Sequence, residues 1–234
     1  MKKLLCIGLL VSNAAFANGL ILTTEDAPPY NYSTDGGKTI VGSATETIHE
    51  LFKRAAIPYT IKMFPWVRAI EMAQVDKDTC VYSTTRTEER EKSFLWVGPV
   101  APNDWVLWSK ADSKIELKTL EDARKYKIGG YRGDATTLHL QNLRFVIDAA
   151  TNDEQTVQKL DAGRIDLWAT GGLSAPFIAN KMKVKIKPVL NFKKTELYLA
   201  CNKSVAAETI AKLNTTLQAM VKDGTTEKIN KKYE

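Results

Sequence analysis

The chain has 234 residues, 44% of them hydrophobic, with 33 Lys and Arg against 27 Asp and Glu and a formal net charge of +6. The positive excess is scattered among acids, and no basic stripe with interleaved aromatics occurs, so a nucleic-acid partner is excluded. Two histidines and three cysteines show no metal-ligand spacing, and neither a metal nor a cofactor is expected.

The first residues read as an export address. Lys2 and Lys3 precede an apolar run over 4–11, and Ala15-Phe16-Ala17 has the small-x-small pattern of a cleavage site. Residues 1–17 are therefore expected to be a signal peptide, since a membrane span needs roughly 20 apolar residues. Its removal takes two lysines away, from +6 to +4, and leaves about 217 residues, expected as a periplasmic monomer. Cys80 and Cys201 remain. An even count in an oxidising compartment permits a disulfide, with two buried free thiols as the alternative.

In chain order, a strand is expected over 20–24, followed by a turn-rich segment, Asp26 to Gly37, whose prolines and glycines exclude helix. Ile48, Leu51, Phe52 and Ala55 recur at helical spacing and predict a helix over 44–56. A strand over 59–63 follows, and Pro65 opens a helix through 74 at the position where its missing N–H costs nothing. The apolar run Thr79-Cys80-Val81-Tyr82 then leads into Ser83-Thr84-Thr85-Arg86-Thr87-Glu88-Glu89-Arg90. Hydroxyls and free backbone N–H groups at a strand end can cradle a carboxylate, and the Arg90 guanidinium can grip it with two parallel hydrogen bonds.

A second set begins with a strand over 105–108. Thr119 is expected to cap a helix carrying Leu120, Ala123 and Tyr126. Strands are expected over 127–130, 145–147, 165–169, 184–189 and 197–201, with helices between them, and Leu213, Leu217 and Met220 mark a final long helix. Alternating strands and helices favour mostly parallel sheets covered on both faces. The length suits two lobes, 18–104 plus 201–234 and 105–200, with hinge strands near 105–110 and 197–201. Ligands of open α/β sheets bind beyond the carboxyl ends of the strands, where the Ser83 and Gly133 turns fall.

The chain resembles the periplasmic solute-binding proteins of the amino-acid-binding class, family 3. The residues that carry the likeness are Glu25-Asp26-Ala27-Pro28-Pro29-Tyr30-Asn31-Tyr32, Pro65-Trp66-Val67-Arg68-Ala69, Thr85 to Lys92, Leu160-Asp161-Ala162-Gly163-Arg164-Ile165-Asp166, and Asp223-Gly224-Thr225 with Ile229 and Tyr233. The resemblance implies a two-lobed type II periplasmic-binding-protein fold that captures a small carboxylate-bearing solute, a polar amino acid or derivative, by hinge closure. It also implies a membrane ABC permease as partner. Thr85 and Arg90, with Ser83, would hold the ligand carboxylate, joined by the backbone of the turn at Ala135 and Thr136. Tyr30, Trp66 and Tyr131 would wall the ligand side chain. The family's usual ammonium-binding aspartate is replaced here by Gly171; either Glu25 substitutes for it from the other lobe, or the ligand lacks a free ammonium and Thr170 and Gly171 line a neutral wall.

Two other readings share the fold. One is an enzyme like the cyclohexadienyl dehydratases, with Glu25 or Glu196 as general acid, which requires a carboxyl pKa raised by burial. The other is a periplasmic sensory module feeding a separate receptor. The expectation is a binding protein without catalytic residues.

Overall fold

The computed structural model describes residues 19–233. The expected signal peptide over 1–17 lies outside the described residues, and among these no helix is long and apolar enough to cross a membrane.

Two five-stranded sheets make two lobes. In the first sheet, β1 (Leu20–Thr24) is the hub, paired in parallel with β2 (Tyr59–Met63) and β3 (Thr79–Thr85). β10 (Glu196–Cys201) then runs antiparallel between β3 and the edge strand β4 (Leu95–Pro102), giving the order β2-β1-β3-β10-β4. The second sheet has the order β7-β6-β8-β5-β9, from β5 (Trp105–Lys110), β6 (Ile128–Tyr131), β7 (Ile147–Ala150), β8 (Leu167–Gly171) and β9 (Ile186–Lys193). Here β6 pairs in parallel with β7 and β8, and β5 runs antiparallel to β8 and β9. Each sheet is thus evenly mixed, less parallel than expected, because each receives a strand that has crossed from the other lobe's side.

The helices bury the faces their periodicity marks. α1 (Ser43–Ala55) lays Ile48, Leu51, Phe52 and Ala55 on one face of the first sheet beside Leu213, Leu217 and Met220 of α7 (Ala207–Lys222). α2 (Trp66–Val75) covers the opposite face with Trp66, Ala69 and Ala73. The second sheet is covered by α4 (Ala135–Asn142) on one side, and by α5 (Asp153–Asp161) and α6 (Ser174–Lys181) on the other. The C-terminal α8 (Thr225–Asn230) is tied back where Lys232 Nζ and Tyr233 Oη meet the Glu46 carboxylate, the lysine at 2.6 Å.

Several elements depart from expectation for local reasons. β4 was not expected, because Pro99 and Pro102 disguise it; as an edge strand it can lack those N–H donors. The helix expected from Thr119 shrinks to a 3-10 turn, Glu121–Lys125, and Asp122 rather than Thr119 accepts the preceding N–H groups, from Lys118 at 3.0 Å and Thr119 at 2.8 Å. Phe145 belongs to the turn ending α4, its N–H bonded to Leu140 O at 2.9 Å, so the strand starts only at Ile147. β10 pairs wholly within the first sheet, and the second crossing therefore precedes it rather than running through 197–201. The two crossings are zipped where Asn103 N–H donates to Thr195 O at 2.9 Å and the Thr195 hydroxyl donates to Asn103 O.

Cys80 and Cys201 are register partners on β3 and β10 and are joined as a disulfide. The bond spans a sequence separation of 121, and closing a loop of that length removes about 4–5 kcal/mol of chain entropy from the unfolded state. Replacing both cysteines by alanine is expected to lower the unfolding midpoint by roughly 8–20 °C, at roughly 2–4 °C per kcal/mol. Differential scanning calorimetry checks this, and a fall under about 2 °C would contradict it.

Candidate functional site

A cleft between the lobes gathers side chains from β3, α2, α3 (Glu88–Glu91), β6, α4, α5 and β8, and from the segment just beyond β1. All ten residues expected at the site line it: Ser83, Thr85, Arg90, Glu25, Tyr30, Trp66, Tyr131, Ala135, Thr136 and Thr170.

Arg90 stands at its centre. It sits in the single turn of α3, and its guanidinium folds back over the end of β3. Nη1 donates to Thr85 O and Nη2 to Gly133 O of the other lobe, both at 3.2 Å. Its carbon lies 5.2 Å from the centre of the Trp66 ring, a cation–π contact that also orients the fork. The side chain is 9% exposed, and burial lowers the guanidinium's pKa, opposed by the charges of Asp134, Tyr131, Glu25 and Glu89. Arg90 is a desolvated cation held by carbonyls, with no carboxylate bonded to it among the described residues.

The β3 end beside it is irregular. Ser83 has φ 61, and the pairing with β10 shifts register there, so the strand bulges at the cleft. The buried Ser83 hydroxyl has no hydrogen-bond partner among the described residues. Across the cleft, Gly133, at φ 79, turns the chain from β6 into α4. Its carbonyl receives both Arg90 and Trp66 Nε1, the latter at 2.9 Å. The helix end beyond it is not wholly open to a ligand, as had been expected. Asp134 caps α4 itself, accepting from Thr136 N at 2.7 Å and Thr137 N at 3.2 Å. The Ala135 N–H, first in the helix, has no acceptor among the described residues and remains for a ligand.

The wall expected to be neutral carries an acid. At Gly171 the Asn103 side chain takes the space beside the Cα, and a Cβ there would sit 2.4 Å from Asn103 Oδ1, so a side chain requires Asn103 to move. That acid is Asp153, the first residue of α5: Trp168 Nε1 donates to Oδ1 at 2.8 Å and Thr170 Oγ1 to Oδ2 at 3.2 Å, holding the carboxyl in the cleft. Sequence reasoning missed Asp153, which looks like an ordinary first-turn helix acid. The available signal was β8 itself, where Trp168 and Thr170 share a strand face and both need an acceptor. Asn103 was also missed; at the hinge it approaches both the Tyr30 hydroxyl and Thr85 Oγ1.

Glu25, just beyond β1, accepts from Tyr131 Oη at 2.8 Å, a bond that joins the lobes. Burial pushes the Glu25 carboxyl up to about 8, and the charges of Asp134 and Asp153 add to the rise while Tyr131 and Arg90 oppose it. Burial likewise pushes Asp153 up to about 7, with the Asp134 charge adding and the Trp168 and Thr170 donors opposing. Asp134 is also raised, by burial first, against its two backbone donors. Three acids face one arginine, and burial raises the carboxyls of all three.

The remaining aromatic residues divide. Trp66 and Tyr131 each donate a hydrogen bond to the opposite lobe, whereas Tyr30 turns its hydroxyl to Pro102 O at 2.8 Å and braces the hinge. Glu196 is exposed and bonds Tyr198 Oη at 2.9 Å; it does not line the cleft.

Two sheets joined by a zipped double crossing, with polar turns closing on an arginine, define a two-lobed solute-binding protein. The chain belongs to the bacterial extracellular solute-binding proteins, family 3, whose family model matches residues 20–234. Among solved structures, it is similar to an ancestral arginine-binding protein bound to glutamine, at 25% identity and TM-score 0.79, over 92% of this chain and 96% of that one. It shares the fold of the arginine-, lysine-, histidine-binding protein ArtJ from the thermophilic bacterium Geobacillus stearothermophilus, at 21% identity and TM-score 0.81, over 92% and 95%. It also shares the fold of a histidine kinase sensor domain with similarity to periplasmic binding proteins, at 17% identity and TM-score 0.84, over 92% and 95%. No curated protein matches the chain.

Proposed function

We propose that the protein captures a zwitterionic amino acid or close derivative in the periplasm by lobe closure and presents it to the membrane permease of an ABC uptake system. The observation that carries the reading is charge placement. Arg90, Ser83 Oγ and the Ala135 N–H form a carboxylate clamp, while Glu25 and Asp153 form an acidic pair for an ammonium. An α-amino acid has both groups, and the acid lost at Gly171 is supplied by Asp153. The family and the amino-acid-binding proteins sharing this fold support the reading.

Closure follows from differential contacts. Arg90, Trp66 and Tyr131 already bridge the lobes, and a ligand spanning the cleft adds bonds that exist only when it is shut. A micromolar ligand needs about 8 kcal/mol net, and charge-assisted hydrogen bonds contribute about 1.5–3 kcal/mol each. Two or three of them with ring contact to Trp66 reach that range.

A thermal-shift screen of amino acids, opines, short peptides and small carboxylates tests this. At 100-fold excess over Kd, a true ligand adds about 2.7 kcal/mol, a rise of roughly 5–11 °C. No shift with any of them would end the reading. The enzyme reading has one observation in its favour, since Glu25 is a buried carboxyl held near neutrality in the cleft. Turnover of prephenate or arogenate would install it instead; the absence of turnover with a bound ligand is the result expected.

A further inference from the structure

The centre of the cleft is small. It has free room of about 50 Å³, enough for a few waters or a compact head group. A much larger groove of about 710 Å³ lies beside it, and the two share Glu25, Ala27, Trp66, Tyr131 and Asp153 as common walls. Beyond those shared residues the groove carries an apolar strip of Met63 at the end of β2, Phe64, Pro65 and Val67, beside Asp26, Arg132, Thr151 and Asn152. Val67 is 53% exposed although it sits on a helix that packs against the core, and its methyl lies against the Gly133 turn. A second groove, of about 730 Å³, carries Tyr32 and Phe177 and meets the centre only through Asp153. The shared walls therefore favour the Met63 side.

We propose that the ligand is longer than the cleft: its amino-carboxylate head occupies the centre while an extended apolar side chain leaves past Trp66 and lies along Met63, Phe64 and Val67. The proposal rests on the zwitterion reading above and adds the class of side chain. The head is fixed by Arg90 and the acids, so the side chain is the part free to point outward. Lobe closure encloses the centre but leaves this groove open, so a long chain need not hold the lobes apart.

A titration calorimetry series of L-alanine, L-norvaline, L-norleucine and L-2-aminooctanoate tests the proposal. Each methylene laid on the groove is expected to tighten Kd about fourfold. The Met63→Ser, Val67→Ser double variant is expected to erase that gain while binding alanine as the wild type does, which also shows that it folds. Affinity that is flat or falls with chain length in the wild type would overturn the proposal and leave the zwitterion reading standing. A gain that survives the double variant but is lost in Phe177→Ser would overturn it in favour of the other groove. No binding by any member would overturn this proposal, and the zwitterion reading would then stand or fall on the thermal-shift screen.

Discussion

Replacing Arg90 by methionine is expected to weaken ligand binding by about 30-fold to several thousandfold while the fold persists. Methionine keeps the packing against Trp66 but has no donors, and removing one partner of a desolvated charge pair costs about 2–5 kcal/mol. The fold survives because Arg90 makes its two hydrogen bonds to carbonyls, and Gly133 O retains Trp66 Nε1. Arg90→Lys is expected to recover only part of the loss, since a lysine brings charge without the two-pronged geometry. Titration calorimetry on both variants checks this, with circular dichroism as the control for folding. An unchanged Kd in Arg90→Met would remove the guanidinium from the site.

Ligand binding is expected to release protons near pH 7 and to tighten as the pH rises. Glu25 moves from its ordinary 4.5 up to about 8, and Asp153 from 3.8 up to about 7, with burial the leading cause for both. The folded, empty cleft therefore holds more protons than the unfolded chain between about pH 4 and 8. Across that window the empty closed form loses stability with rising pH, because the folded state is the one that must release protons. An ammonium ligand reverses the balance: its charge favours the ionised acids, and the protons leave on binding. One linked proton makes Kd fall up to about tenfold per pH unit below the pKa of about 8, and the observed heat then varies with the ionisation enthalpy of the buffer. Glu25→Gln is expected to flatten the dependence between pH 7 and 8 and to bind more weakly. Equal heats in phosphate and Tris buffers at pH 7 would contradict the account.

The Arg90 side of the cleft was legible because it is local. Ser83, Thr85 and Arg90 lie within one strand and its following turn, and hydroxyls beside an arginine at a strand end announce their chemistry. The fold was legible for a similar reason: Ile48, Leu51 and Phe52, or Leu213 and Leu217, have one periodicity and one meaning. The acidic side was not legible. Asp153 joins the cleft only because α5 docks its first turn over Trp168 and Thr170, and that relation exists only once the second sheet has formed. Gly171 misled for a related reason, since Asn103 from the hinge fills the space a side chain would take. Thr136 misled through proximity: beside a glycine turn its N–H reads as part of a ligand cradle, yet Asp134 accepts it as the cap of its own helix.

A crystal structure of the protein soaked with the zwitterion that stabilises it most tests the central claim most directly. The account predicts closed lobes, the carboxylate on Arg90 and the Ala135 N–H, and the ammonium within hydrogen-bond reach of Glu25 or Asp153. A ligand bound outside the cleft, or one whose carboxylate turns away from Arg90, would contradict it.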